Sequence, residues 1–330
     1  MRGPALLLAA LAAGCASPEQ PDETPSPSPS APASPSPAPA WQALPPLLEA
    51  RQEVGVAEVL GRIYVVGGYR TDRSTAATVE AYDPAAGRWS TAAPMPRAVN
   101  HPMVAAYGER LYVFGGDSGL GAVSTTQEYD PRTNTWGLKA PLPTARSAGL
   151  AAVIGSRVYV VGGSPAAAGR VVEAYEPATD RWLPVNPMPT PRNHVAGGVL
   201  GGRLHVVGGR PPNTLAAHEV FDPANGSWSV RTPMPTGRSG HAGAVAGGCL
   251  YVFGGEGNPA TPTGVFAQNE RYDPRTDSWQ SLAAMPTPRH GIGAVVIGDG
   301  IHVPGGATVQ GFGAVAVHER FTVPAGPNCS

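Results

Sequence analysis

Arginine recurs along this chain at a fixed distance from tryptophan, and guanidinium is the side chain best shaped to grip a carboxylate through two parallel N–H donors. Ten residues after Trp41, Trp136, Trp182, Trp228 and Trp279 stand Arg51, Arg146, Arg192, Arg238 and Arg289. The remaining tryptophan, Trp89, is followed at that distance by Val99, with Arg97 two residues early. One place beyond, the residue type varies: Gln52, Asn100, Ser147, Asn193, Ser239 and His290. The next place holds Glu53, His101 and His194 against small residues elsewhere. Gathered in a ring, such residues form a polar, arginine-rich pocket able to hold a carboxylate, a sugar acid or an acidic peptide. The sharper ligand candidates are those that the recurrence does not require: Glu53, Asn100, His101, Asn193, His194 and His290. No metal is expected, because CxxC and HExxH are absent and the histidines are spread over different repeats. No cofactor is implied either, since the Gly-Gly pairs end apolar runs rather than open helices.

The elements that must position these residues follow from the spacing. Six Gly-Gly pairs each follow an apolar run, as in Ile63-Tyr64-Val65-Val66 before Gly67-Gly68 and Leu250-Tyr251-Val252-Phe253 before Gly254-Gly255. Each of the six tryptophans precedes the next Gly-Gly by 26 residues. Tyr82, Tyr129, Tyr175, Phe221 and Tyr272 each stand seven residues before a tryptophan. A repeat of about 47 residues, rich in Val, Tyr and Ala and broken by Gly, Pro and Asp, reads as four short strands a to d. The third repeat gives the type: Ala148–Ile154, Val158–Val161, Val171–Tyr175, and a last strand carrying Trp182.

The order of apolar strand, Gly-Gly, Glu-x-Tyr-Asp-Pro, Trp and Pro-Met-Pro resembles the kelch signature over roughly residues 41–321. The resemblance implies an all-β, six-bladed kelch-type β-propeller, with sheets packed radially so that each buries both faces. The last repeat ends at Phe321 without a tryptophan strand, while Trp41 has no Gly-Gly before it. The N-terminal WQALPP segment is therefore expected to supply strand d of the last blade, leaving no open edge. In kelch repeats an arginine in this place commonly supports the loop entering strand a, and for the arginine set that scaffold reading takes precedence over the ligand reading. Glu80, Glu173, Glu219, Glu270 and Glu319 recur two residues before the strand c aromatic, with Gln127 in the second repeat, and read as scaffold. His205 and His302 replace a tyrosine of strand b and read likewise.

The termini carry separate signals. Arg2 followed by the apolar run Ala5–Ala13 reads as an export signal (1–14), and Leu11-Ala12-Ala13-Gly14-Cys15 resembles a bacterial lipobox, which implies lipidation at Cys15. Residues 15–40 are mostly Pro, Ser and Ala. That composition reads as a disordered, extended stalk reaching on the order of 75 Å. The propeller is assigned to 41–324 and a short tail to 325–330. Cys249 and Cys329 fall on the same face of neighbouring blades and are expected to pair in an oxidising compartment.

Charge and composition exclude several classes. A net charge of −1 over 330 residues offers nothing for nucleic acid, and with 43 Gly and 38 Pro the chain favours short strands and turns. No apolar run beyond the N-terminus is long enough to span a bilayer, so membrane contact is expected through the lipid alone. The d–a and b–c loops share the face opposite the incoming stalk, and their lengths vary. From the second Gly to the strand c aromatic is 12 to 17 residues, longest at Glu256–Gly264. With no clustered nucleophile, the function expected is that of an exported, monomeric recognition module on the cell envelope, binding a protein or glycan on that face. The alternatives are an enzyme acting on an anionic sugar, as in a kelch-type bacterial sialic-acid epimerase, and an architectural envelope protein.

Overall fold

The computed structural model describes residues 40–210 and 212–324, together with Met1, Gly3 and Cys329. Apart from Met1, Gly3 and Ala40, the export segment, Cys15 and the Pro/Ser/Ala stalk lie outside the described residues, as do residues 325–328 and 330. Contacts divide the chain into Met1–Ala38 and Pro39–Ser330, and the second of these is the propeller.

Six four-stranded antiparallel sheets follow one another along the chain. Blade 1 is Gly55–Val59, Arg62–Val66, Val79–Asp83 and Arg88–Ala92, and blades 2 to 5 repeat this order. In blade 6, Val295–Ile297, Gly300–Pro304 and His318–Thr322 are completed by Trp41–Leu44, which pairs antiparallel with the third strand in the register Trp41 to Phe321. The expected closure is what the register shows. The only helical turn among the described residues is the short 3-10 segment Ala166–Ala168, and none of their helices is long and apolar enough to cross a membrane.

Strand b is the centre of each blade and is buried on both faces, as continuous runs such as Ile63-Tyr64-Val65-Val66 require. Between blades the aromatics interlock: Trp41 meets Phe253 of blade 5 edge-on with ring centroids 5.7 Å apart, and Phe321 of its own sheet at 5.2 Å. Every tryptophan also donates its indole N–H to a carbonyl of the segment leaving the preceding blade. Trp89 bonds Pro45 O, Trp136 bonds Ala93 O and Trp182 bonds Ala140 O, at 2.8–2.9 Å. Trp228 bonds Asn186 O, Trp279 bonds Thr232 O and Trp41 bonds Ala283 O, which carries the series across the joint. Cys249 and Cys329 are joined by a disulfide with Cα atoms 5.1 Å apart, tying the tail to blade 5. Cys249 is the first residue of strand b in blade 5.

Two blades replace the strand b tyrosine with histidine, and the structure shows what accompanies the change. His205 donates from Nδ1 to His218 Nε2 at 2.9 Å, and His218 Nδ1 donates to Thr232 O; His302 and His318 repeat the pattern at 3.0 Å, ending on Pro45 O. With both rings neutral, each pair forms a continuous hydrogen-bond chain. Burial pulls all four below the ordinary histidine value, His205 and His318 to about 3 and His218 and His302 to about 4.

Two outcomes follow. Deleting residues 41–46 removes the closing strand and leaves the edge of His318–Thr322 unpaired, so the product should fail to fold cooperatively. Trp41→Ala alone should lose on the order of 3 kcal/mol in chemical denaturation, and a deletion variant as stable as the parent would contradict this closure. As for pH, a histidine whose folded value is depressed contributes stability above its unfolded value of about 6.5 and loses it as pH falls toward the folded value. Thermal melting should therefore fall steeply between about pH 6.5 and 4. The replacement His205→Tyr with His218→Val, the pair present in blades 1 and 3, should flatten that slope.

Candidate functional site

Three successive positions in each blade lead from its interior to the mouth of the central channel. The first is the recurrent arginine. Arg51, Arg146, Arg192, Arg238 and Arg289 are at most 1% exposed. Each faces the strand c glutamate of its own blade: Arg51–Glu80 at 2.9 Å, Arg192–Glu219 at 3.1 Å, Arg238–Glu270 at 2.5 Å, Arg289–Glu319 at 2.8 Å, and the pair Arg146–Glu173. Each also donates to a strand b carbonyl, such as Val160 O, Val206 O, Val252 O or Val303 O. Burial lowers these guanidinium values and the glutamates oppose it. As ligand-binding candidates the five arginines are thus corrected: their donors are committed inside the blade and do not reach the mouth. Blade 2, with Val99, carries the matching change on the other partner. Its Gln127 amide accepts from Arg97 N–H and donates to Arg97 O, so no carboxylate is buried without a cation.

The arginine backbone has its own task. Its carbonyl accepts the N–H of the second glycine of the preceding blade, as in Gly116 to Arg146 O, Gly163 to Arg192 O and, across the joint, Gly306 to Arg51 O. A Cβ on Gly115 would lie 2.2 Å from Arg146 O, and the residue has a φ of +56°, which is why glycine is required there.

The second position pairs with the residue just after Gly-Gly: Gln52 with Tyr69, Asn100 with Asp117, Ser147 with Ser164, Asn193 with Arg210, Ser239 with Glu256 and His290 with Ala307. The third position is Glu53, His101, Ala148, His194, Gly240 and Gly291, and all six have φ between +49° and +62°. Their amides form a closed circle. Glu53 N–H donates to Gly291 O, His101 to Glu53, Ala148 to His101, His194 to Ala148, Gly240 to His194 and Gly291 to Gly240, at 2.6–3.0 Å. Strand a of blade 3 consequently begins at Leu150 rather than at Ala148, which belongs to this circle. A left-handed backbone costs a residue with a Cβ about 1–2 kcal/mol, yet three of the six carry large polar side chains.

Those three converge, although their sequence positions lie in different blades. His101 Nε2 is 3.2 Å from Glu53 Oε2, and the His101 and His194 rings meet edge-on with centroids 5.0 Å apart. The expectation that histidines so spread cannot come together fails because the ring folds their blades around one axis. Asn100 and Asn193 act one residue earlier: each accepts with Oδ1 the Nδ1–H of the next histidine at 2.6 Å. Asn100 donates to Thr75 Oγ1 at 2.9 Å, which fixes its orientation. His290 donates from Nε2 to Val309 O at 3.0 Å, and its Nδ1 stands 3.3 Å from Glu53 Oε1 and 3.6 Å from Glu256 Oε2. Burial alone would raise the Glu53 carboxyl, but His101 and His290 outweigh it and hold it far below the carboxylate range. Burial would lower His290, yet Glu53 and Glu256 outweigh it and raise it above the ordinary histidine value. Burial, His101 and Arg210 hold His194 neutral, at about 3.

Arg210, Glu256 and Tyr69 were not singled out as site residues from sequence, and all three belong to the mouth. Arg210 pairs with Glu256 and donates to His194 Nε2 at 3.1 Å, and Tyr69 packs edge-on against His101. The legible signal was position: the residue after each Gly-Gly differs in all six blades, as scaffold residues do not. Inside the mouth a cavity of about 70 Å³, lined by Glu53, His101, His194 and His241 among others, has room for about two waters. Below it the channel is walled by small residues such as Gly55, Gly197, Gly243 and Gly293.

Sheet count, closure and the repeated Arg–Glu scaffold define a kelch-repeat β-propeller. Residues 63–315 match the Attractin/LZTR1 β-propeller family, and the chain belongs to it. Among curated relatives it is similar to Kelch-like protein terF of Aspergillus terreus, 42% identical over 69 residues, which is 21% of this chain and 15% of that protein. It is likewise similar to Kelch-like protein 36 of Mus musculus, 42% identical over 60 residues, 18% of this chain and 10% of that protein. The chain thus spans only a small part of the length of these relatives. The solved structure of YjhT superposes with a TM-score of 0.71 over 83% of this chain and 95% of that one, at 16% identity, and shows the shared fold.

The Arg–Glu pairing is testable by swapping in the solution of blade 2. Arg146→Val should cost about 3–5 kcal/mol, because it leaves Glu173 buried without its cation. Arg146→Val combined with Glu173→Gln should recover most of that loss in urea denaturation. Additive losses in the double variant would show that the pair is not coupled.

Proposed function

We propose that this propeller is a non-catalytic recognition module, exported and held at the cell envelope by a lipid on Cys15, that binds a protein partner through its d–a/b–c loop face. The observation carrying this reading is the division of the molecule into a recurrent scaffold and one face where the residue after each Gly-Gly differs in all six blades. Apolar side chains stand out on that face, around a polar mouth. Leu120, at the tip of the blade 2 b–c loop, is 99% exposed, Leu48 is 61% exposed and Val309 is 44% exposed. Arg73 stacks over the Phe312 ring at 4.7 Å. Exposed aliphatic and aromatic–arginine groups beside a polar centre are the usual anchors of a protein interface. Kelch propellers are commonly interaction folds, which agrees with it.

The alternative of an enzyme or binder for a sugar acid drew its support from an Arg/His/Glu mouth, and the recurrent arginines of that set are engaged with their own glutamates. Arg210 is paired with Glu256 as well. That leaves the mouth with a balanced set of charges and little room, so the broad loop face is the better surface for a ligand.

Two measurements test the reading. Wild-type protein should capture a specific envelope protein, and Leu120→Asp with Phe312→Ala should weaken that capture at least tenfold while leaving the melting temperature within a few degrees. Equal capture by both would remove this face as the docking surface, and a thermal shift with sialic acids in its place would favour the sugar reading. In cell fractionation the parent should partition with membranes and Cys15→Ser should not; unchanged partition would rule out the anchor.

A further inference from the structure

The geometry points to a divalent transition-metal site of zinc type at the channel mouth, with Glu53, His101 and His194 as ligands and one coordination position open to the cavity. The inference is independent of whether a protein docks on the same face. One carboxylate oxygen and two imidazole nitrogens of these residues all lie within 4.8 Å of one another. Two histidines and a glutamate with a vacant fourth position form a donor set that suits zinc. Bonds of 2.0–2.2 Å in a tetrahedral site put donors about 3.4 Å apart, and His101 Nε2 and Glu53 Oε2 already stand at 3.2 Å.

Three further observations separate these residues from an ordinary polar cluster. The first is the orientation of the rings. In both histidines Nδ1–H is held by the asparagine immediately before it, at 2.6 Å, which turns the Nε2 lone pair toward the axis. Outer partners of this kind fix the tautomer and direction of metal-binding histidines. The same Asn-His pair occurs in two separate blades, and in no other blade does either residue occupy these positions together.

The second observation is electrostatic. With Nδ1–H given to Asn100, the Nε2 lone pair of His101 faces an electron-rich carboxylate oxygen at 3.2 Å. Such a contact requires a cation or a proton between the two atoms. At His194 a cation already stands in that place: Arg210 donates to Nε2 at 3.1 Å while its other nitrogen is held by Glu256 and Ser239. A metal ion would replace both the proton and this guanidinium contact.

The third is the backbone. Glu53, His101 and His194 are held at φ of +54°, +49° and +52°, where Gly240 and Gly291 meet the same geometry without strain. Large polar side chains retained at strained positions, with all three aimed at one point, mark a functional constraint.

The test uses the full chain carrying Cys15→Ser, which removes the one cysteine outside the disulfide, stripped with chelator and titrated with Co²⁺ and then Zn²⁺. The expected result is one equivalent of Co²⁺ with the intense visible absorption of a low-coordinate site, displaced by Zn²⁺. His101→Gln or His194→Gln should abolish the band. Asn193→Ala should weaken binding about 10–100-fold, and Arg210→Ala should tighten it by removing the competing cation. If the histidine variants do not fold, the Arg210→Ala titration and the parent protein decide the matter. Failure of the parent to hold Co²⁺ or Zn²⁺, or an unchanged band in a folded His101→Gln protein, would overturn the site.

Discussion

Six amides that donate in turn to one another around the channel axis are the constraint on which this structure rests. Each blade can place its third mouth residue only if the blade before it presents a carbonyl at the right height, and the sequence of donors closes from Glu53 back to Gly291. A second circle, from the Gly-Gly amides to the arginine carbonyls, lies beside it and closes from Gly306 to Arg51. Both circles cross the joint between the sixth and first blades, which the chain's first strand also bridges by finishing the sixth sheet. Geometry that closes on itself also fixes the backbone of the six residues of the amide circle in the left-handed region, whatever side chain they carry.

That fixed backbone explains how the molecule separates stability from recognition. The recurrent arginines and glutamates are buried, but as pairs within a blade. Arg51, Arg146, Arg192, Arg238 and Arg289 each answer a glutamate, and where the arginine becomes Val99 the acid becomes Gln127. Breaking one partner alone would leave a desolvated charge, so both vary together. The positions one and two residues further on, and the residue following each Gly-Gly, carry no such obligation. They are free to hold Asn, His, Glu, Tyr or Arg, and in three blades the freedom is used to point Glu53, His101 and His194 at one spot.

Much of this was legible before any coordinates. The tryptophan and Gly-Gly intervals yield blade number, strand order and the exchange at the joint, because a repeated sheet repeats its large residues at fixed distance. The pairing of Cys249 with Cys329 followed from placing both on one face, and the structure joins them. The arginines were the ambiguous case. Their recurrence already argued for scaffold, but only the burial of each guanidinium against its own glutamate removes them from the mouth. Convergence of Glu53, His101 and His194 was not legible, since residues 48 to 141 apart in sequence meet only after the ring has closed. Arg210 and Glu256 escaped notice for a related reason: they pair with each other between neighbouring blades, and no local pattern announces a contact of that range.

The central claim is that closure of the amide circle is a single cooperative event. Native-state hydrogen exchange at Glu53, His101, Ala148, His194, Gly240 and Gly291 measures it most directly. If the circle is one element, all six amides should exchange with a common, high opening free energy equal to that of global unfolding, and weakening the joint at Trp41 should lower all six together. Independent exchange, with blades 3 and 4 keeping their protection while Glu53 and Gly291 lose theirs, would contradict it.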